Sequence, residues 1–139
     1  MLPESPFNLL QEIYQKDPWR ILVCCMFLNQ TTRKQVDTVR DEFFEKYPTA
    51  YFAAKAIPEE MSQIIKTLGF YNRRANSIIK MSRDYIDAKW LKPSDIHGIG
   101  QYAEDSYNIF VNHDLSVIPN DKILNKYMEW RLEYEKNKL

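Results

Sequence analysis

Glycine is scarce and unevenly placed in this chain. Three glycines occur in 139 residues, and two of them, Gly98 and Gly100, flank a single isoleucine. So few flexible points favour regular elements, and the apolar residues recur at helical spacing rather than in the alternation typical of strands. Proline follows a capping or apolar residue at Asp17-Pro18 and Ile57-Pro58, as it does at helix starts. The sequence therefore predicts an all-α protein.

Caps and apolar periodicity also predict where the helices lie. They are expected over residues 5–14, 19–28, 31–47, 72–88, 102–111 and 121–136, with short helices after residues 48, 57 and 93. Ser5 is the predicted N-cap of the first helix, and Thr31 or Thr32 that of the third. Gly69 is predicted to end the helix before it in a left-handed conformation. No repeat, linker or low-complexity tract divides the chain, so residues 1–139 are predicted to form a single domain.

Composition restricts the class of protein. A hydrophobic content of 45%, with 14% aromatic residues, is typical of a packed core and not of a disordered chain. No apolar run has membrane-spanning length, and the first residues resemble neither a signal nor a transit peptide. Cys24 and Cys25 are adjacent in an apolar helix, which predicts buried thiols in a reducing compartment. We therefore expect an intracellular protein.

Charge is balanced overall but not along the chain. Lys+Arg and Asp+Glu both number 19, which alone does not favour nucleic-acid binding. Residues 62–92, however, carry seven Lys or Arg against two Asp, a local charge of +5, between segments of −2 and −3. A local basic face is what phosphate binding requires, although a solvated helix face would have the same composition.

The segment around the paired glycines suggests an anion site. Residues 95–102 read DIHGIGQY and run directly into a predicted helix. Glycine permits close approach of the backbone to a ligand, and the first turn of a helix presents unpaired N–H groups. Such a terminus binds phosphate readily. A GxG pattern is common, however, and by itself it is weak evidence.

Asp121 follows about twenty residues later, at the start of the last predicted helix. Two interpretations are open. It is either an N-cap, the commoner role for aspartate at this position, or a catalytic carboxylate facing the glycine segment. A carboxylate in the second role could stabilise an oxocarbenium-like sugar cation or activate water.

Motifs along nearly the whole chain are similar to those of one family. The sequence resembles the endonuclease III superfamily of helix-hairpin-helix DNA glycosylases, and most closely the glycosylase domain of the methyl-CpG-binding thymine glycosylases. The stretches that carry the resemblance are residues 5–9 (SPFNL), 17–19 (DPW), 27–29 (FLN), 45–48 (EKYP), 68–69 (LG), 97–100 (HGIG), 105–107 (DSY), Asp121 and 124–127 (LNKY).

The resemblance implies a fold and an activity. It implies a helical bundle with a DNA cleft, in which the residue matching Asp121 is catalytic. It also implies removal of thymine or uracil mispaired with guanine by base flipping, in which the unstacking cost is lower for a mismatched base. Gln11 and Tyr102 would line the base pocket, where an amide can both donate and accept hydrogen bonds.

The resemblance also assigns residues to the DNA. Gln30 and Phe70 match the positions that fill the gap in the duplex and wedge its strands. The methyl-CpG-binding thymine glycosylases have arginine and leucine at these two positions, so preference for guanine opposite the target is left open. Apolar wedges between base steps are nevertheless a known device. Charge and local pattern add five more DNA-binding residues: Arg73 and Arg74, which follow Phe70 in the basic segment, and Gly98, Gly100 and Gln101 of the glycine segment.

Two residue types are missing where parts of the family have them. Bifunctional members carry a nucleophilic lysine where this chain has Tyr102, so a Schiff base and lyase activity are not expected. No cysteine follows Cys25, so the four-cysteine iron–sulfur cluster of many relatives cannot form. No cofactor and no protein-ligated metal are predicted, although family analogy allows a monovalent cation at the hairpin carbonyls.

The sequence-based hypothesis is thus a monofunctional, mismatch-specific thymine or uracil glycosylase of base excision repair that leaves an abasic site. Its expected partner is double-stranded DNA with a mismatched or damaged pyrimidine, bound by a monomer in the nucleus or elsewhere inside the cell, with no membrane association. Two alternatives stay open: a catalytically inactive helix-hairpin-helix binding module, and a glycosylase of the same superfamily with another base specificity.

Overall fold

The computed structural model describes residues 2–139, which form nine α-helices and two 3₁₀ turns and contain no strand. The all-α prediction is confirmed. The 3₁₀ turns are Lys66–Leu68 and Pro93–Asp95. The helices are α1 (Leu10–Ile13), α2 (Pro18–Leu28), α3 (Arg33–Asp37), α4 (Arg40–Lys46), α5 (Ala50–Ala54), α6 (Pro58–Ile64), α7 (Tyr71–Asp87), α8 (Gln101–Phe110) and α9 (Lys122–Asn137).

Helix α2 is the centre of the core. Asp17 caps it by accepting the Arg20 N–H at 3.2 Å, and Pro18 occupies the first helical position. The helix packs against α1, α3, α7 and α8, so it is buried on nearly every side, and Ile21, Leu22 and Phe27 have no exposed surface. Burial of each such side chain contributes about 1.5–3 kcal/mol. The helix therefore holds the elements around it in place.

Helix α7 has one buried face, which packs against α2, α5 and α6. Ile78, Ile79 and Met81 lie on that face, as the apolar spacing predicts. Ser82 Oγ accepts the Trp19 Nε1–H at 3.0 Å and donates to the Ile78 carbonyl at 2.7 Å, so the one hydroxyl on this face is satisfied. The hydrogen bond from Trp19 joins the first turn of α2 to the C-terminal part of α7.

The glycine turn, residues 96–100, connects the second 3₁₀ turn to α8, and α8 packs on α2. The His97 N–H donates to Asp84 Oδ2 of α7 at 2.9 Å. Ile96 and Ile99 are buried, which anchors the turn while Gly98 and Gly100 stay exposed. The turn is therefore held from both sides with its glycines at the surface.

The helix predicted over residues 5–14 is wrong, because only Leu10–Ile13 are helical. Ser5 is not an N-cap. Its N–H and Oγ donate to the Glu12 carboxylate at 3.0 and 2.7 Å, and the Leu9 N–H donates there at 2.8 Å. Glu12 is buried, so these three donors compensate its charge and hold residues 5–9 as a loop.

The single helix predicted over residues 31–47 is also wrong. It is divided into α3 and α4 around Thr38, although Thr32 caps its start as expected. Thr38 Oγ1 donates to the Gln35 carbonyl at 2.6 Å, which favours termination of the helix at this point. Gly69 has the positive φ that was predicted, 78°, but its ψ of 165° lies outside the left-handed helical conformation, and the residue follows the 3₁₀ turn and not an α-helix.

Within residues 2–139, no helix is both long enough and apolar enough to span a membrane.

Candidate functional site

A cleft of about 1040 Å³ lies where the ends of α2 and the starts of α7, α8 and α9 meet. All ten of the residues that the sequence assigned to catalysis, the base pocket or DNA line this cleft. They are Gln11, Gln30, Phe70, Arg73, Arg74, Gly98, Gly100, Gln101, Tyr102 and Asp121. The fold therefore brings to one surface residues that are as much as 110 positions apart in the chain.

Asp121 is the N-cap of α9. Its Oδ2 accepts the N–H groups of Ile123 and Leu124 at 3.1 and 3.0 Å. Its Oδ1 accepts no hydrogen bond from any residue in 2–139. The two interpretations of this aspartate are thus compatible, because capping uses one oxygen and fixes the carboxylate while the other oxygen remains available to the cleft.

Gln11 is held rigidly in the wall of the cleft. It is 2% exposed, and its Nε2 donates to Tyr102 Oη at 2.9 Å and to Ser106 Oγ at 3.1 Å. Tyr102 and Ser106 lie one turn apart on α8, so they present both oxygens to the same amide. Both N–H groups of Gln11 are used, and its Oε1 accepts no hydrogen bond within residues 2–139. The amide is left as an acceptor.

The floor of this part of the cleft is uncharged. Burial raises the pKa of the Tyr102 phenol well above its usual range, and the charge of Asp121 adds to that shift. Burial likewise raises the pKa of the Cys25 thiol to about 12, although a hydrogen bond with Ser106 opposes the change. Both groups are neutral at physiological pH, so the Asp121 carboxylate has two uncharged neighbours, Tyr102 and Cys25, in this part of the cleft.

The two glycines of the turn differ in what they require. Gly98 has φ 79°, and a Cβ added there would lie 2.9 Å from Cε of Met26. Gly100 has φ −95° and no heavy atom within 4 Å of an added Cβ. Gly100 is the N-cap of α8 and no side chain caps that terminus, so the N–H groups of the first turn are open to a ligand.

Gln30 and Phe70 share an uncommon backbone conformation. Their φ angles are 61° and 46°, in the left-handed region that is unfavourable for residues with a Cβ. Both are exposed, and Phe70 leaves 61% of its surface in solvent. Strain of this kind is maintained mainly at functional sites, and a large exposed aromatic beside a cleft is a candidate for contact with a partner.

The two adjacent arginines have different environments. Arg73 is exposed, and its guanidinium lies 5.8 Å from the centroid of the Phe70 ring. Arg74 is buried, and all three of its side-chain nitrogens donate to main-chain carbonyls. At most one of its five N–H groups is left for a phosphate, so the structure gives little support to the expected role of Arg74 in phosphate binding. The other five basic residues of segment 62–92 are exposed but lie outside the cleft lining.

Several residues of the cleft were not identified from the sequence. They include Cys25, Met26, Asn29 and Arg33 in the lining, and the buried Ser106, which does not line the cleft but accepts a hydrogen bond from Gln11. Ser106 could have been found, because it lies four residues after Tyr102 and thus on the same helix face. The others come from the end of α2 and the start of α3, whose approach to α7 and α8 depends on tertiary packing.

The residues 2–139 contain no group of three or more His, Cys, Asp or Glu side chains placed to hold a metal ion.

Comparison with known proteins identifies a family for this arrangement. A sequence model described as "HhH-GPD superfamily base excision DNA repair protein" matches residues 23–138. The chain is also 40% identical over 135 residues to a methyl-CpG-binding domain protein 4-like protein of Arabidopsis thaliana, a match that covers 96% of this chain and 30% of the relative.

Two archaeal relatives are similar over shorter segments. The chain is 33% identical over 94 residues to a thymine-DNA glycosylase of Aeropyrum pernix (62% of this chain, 42% of the relative). It is 35% identical over 96 residues to a thymine/uracil-DNA glycosylase of Pyrobaculum aerophilum (63% and 41%). The chain thus spans less than half the length of each of these three relatives.

Solved structures share the fold. One described as a thermostable thymine-DNA glycosylase superposes with a TM-score of 0.67 at 24% identity, over 81% of this chain and 52% of that one. A trapped endonuclease III–DNA covalent intermediate gives a TM-score of 0.62 at 20% identity, over 81% and 62%. At these identities the likeness establishes the helical architecture, and it confirms the fold that the sequence predicted.

Proposed function

The chain belongs to the HhH-GPD superfamily of base excision DNA repair proteins, and we propose that it is a monofunctional DNA glycosylase that removes thymine or uracil opposite guanine. The observation that carries the proposal is the position of Asp121. Its carboxylate has one oxygen fixed by the α9 N-terminus and one free, in the same cleft as the Gln11–Tyr102 pair.

The pocket chemistry fits a pyrimidine with an imide edge. Gln11 offers an acceptor at Oε1, because both of its N–H groups are bonded to Tyr102 and Ser106. The Tyr102 Oη accepts from Gln11 and keeps its own O–H to donate into the cleft. An acceptor beside a donor is complementary to an N–H beside a carbonyl, as on uracil and thymine. The flipped base would be bound by these two side chains.

The proposed reaction is hydrolysis of the N-glycosidic bond. The C1′–N1 bond breaks, its electron pair leaves with the base, and the base then takes a proton from solvent. The Asp121 carboxylate stabilises the positive charge that develops on the sugar and orients the water whose hydroxyl adds to C1′, while the other proton of that water passes to solvent. The products are a free base and an abasic site. The reaction uses water and no cofactor.

The same cleft offers contacts for the rest of the duplex. The open N–H groups at the start of α8, beside Gly100, suit a DNA phosphate, and Arg73 adds a free guanidinium. Gln30 and Phe70 are exposed at the cleft margin, where they would fill the gap left by the flipped nucleotide. We infer that double-stranded DNA is the partner and that the protein acts as a monomer in the nucleus or elsewhere inside the cell.

We further propose that the enzyme has no lyase activity. A β-elimination through a Schiff base requires an amine near C1′, and no lysine is among the described residues that line the cleft. Tyr102, with its raised pKa, supplies a neutral phenol instead. Strand cleavage is therefore expected only after alkali treatment, and borohydride should trap no covalent complex.

The test is single-turnover base release from a labelled duplex that contains G·T, G·U or a matched A·T pair. Wild type and Asp121→Asn are compared, with DNA binding measured for both. The proposal is supported if base release requires Asp121 and leaves an abasic site at which the strand breaks only after alkali treatment. If both proteins bind mismatched duplex and neither releases a base, the protein is a binding module. Release of a different base would instead indicate another specificity within the superfamily.

A further inference from the structure

Arg74 connects the two loops that form the margin of the cleft. On one side, its Nη1 donates to the Met26 carbonyl at 3.0 Å and its Nη2 to the Asn29 carbonyl at 2.8 Å. On the other side, its Nε donates to the Gly69 carbonyl at 3.0 Å, and Nη2 also approaches the Leu68 carbonyl at 3.5 Å. One side chain thus bonds to two segments that are about forty residues apart in sequence.

Each of these segments ends in a residue with left-handed backbone. Gln30 follows Asn29 directly, and Phe70 follows Gly69 directly. A left-handed conformation at a residue with a Cβ costs about 1–2 kcal/mol, so surrounding contacts must hold it. Arg74 is 8% exposed, and bonds in that environment are more stable than bonds in water. It is the link between the two strained positions.

We propose that Arg74 is a positioning residue that fixes Gln30 and Phe70 relative to each other, so that both enter the DNA as one rigid unit when a base is flipped. The purpose of this rigid unit depends on the proposed function. The link that Arg74 makes between the two segments can, however, be measured without catalysis. A flexible pair of loops would lose conformational freedom on insertion, whereas a pair fixed in advance does not.

The guanidinium is suited to this role in a way that other side chains are not. It is planar and has donors on three nitrogens, so it can bond to both loops at once. A lysine at the same position is a single flexible ammonium on a different stem. It would restore the positive charge without the fixed geometry, so Arg74→Lys separates charge from bridging.

The variants for the test are Arg74→Lys and Arg74→Met, with Arg83→Met as the matched control. Arg83 lies on the same helix and donates to one main-chain carbonyl, that of Ala54 at 3.0 Å, away from the cleft. Hydrogen–deuterium exchange is measured over residues 27–31 and 66–70. Insertion into a G·T duplex is measured by the fluorescence of a 2-aminopurine placed beside the mismatch, with the DNA saturated by protein.

Both Arg74 variants are expected to exchange faster in the two segments together and to lose most of the 2-aminopurine fluorescence rise while still binding DNA. Arg83→Met should behave as wild type in both measurements. Should Arg74→Met fail to fold, Arg74→Lys decides the question. Unchanged exchange, faster exchange in one segment only, or a full fluorescence rise in the Arg74 variant would overturn the proposal.

The proposed activity fails separately. It fails if wild type releases no base, which leaves the exchange result to decide on the link. If wild type itself gives no fluorescence rise on binding, insertion does not occur and the positioning role is refuted.

Discussion

The Leu124 N–H donates to Asp121 Oδ2 at 3.0 Å, so the carboxylate that we propose as catalytic is also the N-cap of α9. A cap and a catalyst are usually regarded as alternatives for an aspartate at a helix start. Here they use different oxygens of one side chain. The cap fixes the orientation of the carboxylate without a further supporting residue, and the two roles can be separated by mutation.

Asp121→Asn should keep the cap, and Asp121→Ala should lose it. Asparagine caps as well as aspartate does, whereas alanine at an N-cap costs about 1 kcal/mol. We therefore expect unchanged stability for the first variant, a loss of about 1 kcal/mol for the second, and a fall in base release of about 10²-fold or more for both. Urea unfolding and single-turnover assays measure these effects. Full activity in Asp121→Asn would restrict the residue to capping.

Substitution of the two glycines should have different consequences. Gly98→Ala forces a Cβ onto a residue with φ 79°, which should reduce stability by about 1–2 kcal/mol. Gly100→Ala meets neither a positive φ nor a neighbouring atom, so we expect a loss of stability below about 1 kcal/mol, from the lower preference of alanine for an N-cap. Its methyl group would instead stand where a phosphate approaches α8. We expect weaker binding to any DNA sequence, measured by fluorescence anisotropy. Unaltered affinity in Gly100→Ala would refute the phosphate site.

Ser106→Ala tests the anchor of the base pocket. It leaves one N–H of the buried Gln11 amide without an acceptor, a change that costs about 1–3 kcal/mol. Base release should fall as well, because the amide is then free to turn. Ser82→Ala is the matched control, since Ser82 is another buried serine that accepts one hydrogen bond, from Trp19. It should lose similar stability and keep its activity. Equal losses of activity in the two variants would contradict the anchoring role.

The sequence predicted most of the helices because their signals are local. Pro18 after a capping aspartate, and the apolar face of residues 72–88, each define a helix without reference to the rest of the chain. Wrong predictions arose where tertiary contacts decided the outcome. Ser5 looked like a cap, but the buried Glu12 takes both of its donors.

The sequence predicted which residues line the cleft but not the hydrogen bonds that hold them in place. Both Arg73 and Arg74 were expected on the DNA because they follow Phe70 in the basic segment, and only Arg73 is exposed. The helical period places Arg74, four residues before Ile78, on the buried face of α7, so its burial could have been predicted. The carbonyls to which it bonds depend on tertiary packing and could not. The left-handed backbone at Gln30 and Phe70 is likewise invisible in the residue types.

Asp37 should give a pH-dependent contribution to stability. Its Oδ1 accepts from Arg33 and Arg40 at 2.8 and 2.9 Å. Partial burial alone would raise the pKa of this carboxyl, but hydrogen bonds from the two guanidiniums hold it below its usual value. A depressed carboxyl pKa stabilises the fold at pH values above the unfolded value of about 4, and that stabilisation is lost as the pH falls through the folded pKa.

We therefore expect Asp37→Asn to be less stable than wild type by about 0.2–1 kcal/mol at pH 7, the range for exposed ion pairs. The two curves of unfolding free energy against pH should converge in acid. Urea titrations at several pH values measure the difference. Asp41→Asn is the control, because Asp41 is 88% exposed and 3.7 Å from Arg40. A difference for Asp37→Asn that stays constant down to low pH would show that the charge is not the cause.

Phe70→Gly should reduce base release without reducing stability. Phe70 has φ 46°, and its ring is mostly in solvent, so the folded protein gains little from the side chain. Glycine takes the same backbone conformation without the Cβ penalty, so we expect stability equal to wild type or higher by about 1 kcal/mol. Base release from a G·T duplex should fall, because no ring remains to fill the stack.

Tyr71→Phe, one residue further on at the start of α7, serves as the control and should change neither property. Thermal unfolding and single-turnover base release measure the pair. If Phe70→Gly were instead strongly destabilising, the ring would be part of the folded core. If the variant released thymine at the wild-type rate, Phe70 would not be needed to hold the duplex open, and its strained conformation would have no part in base flipping.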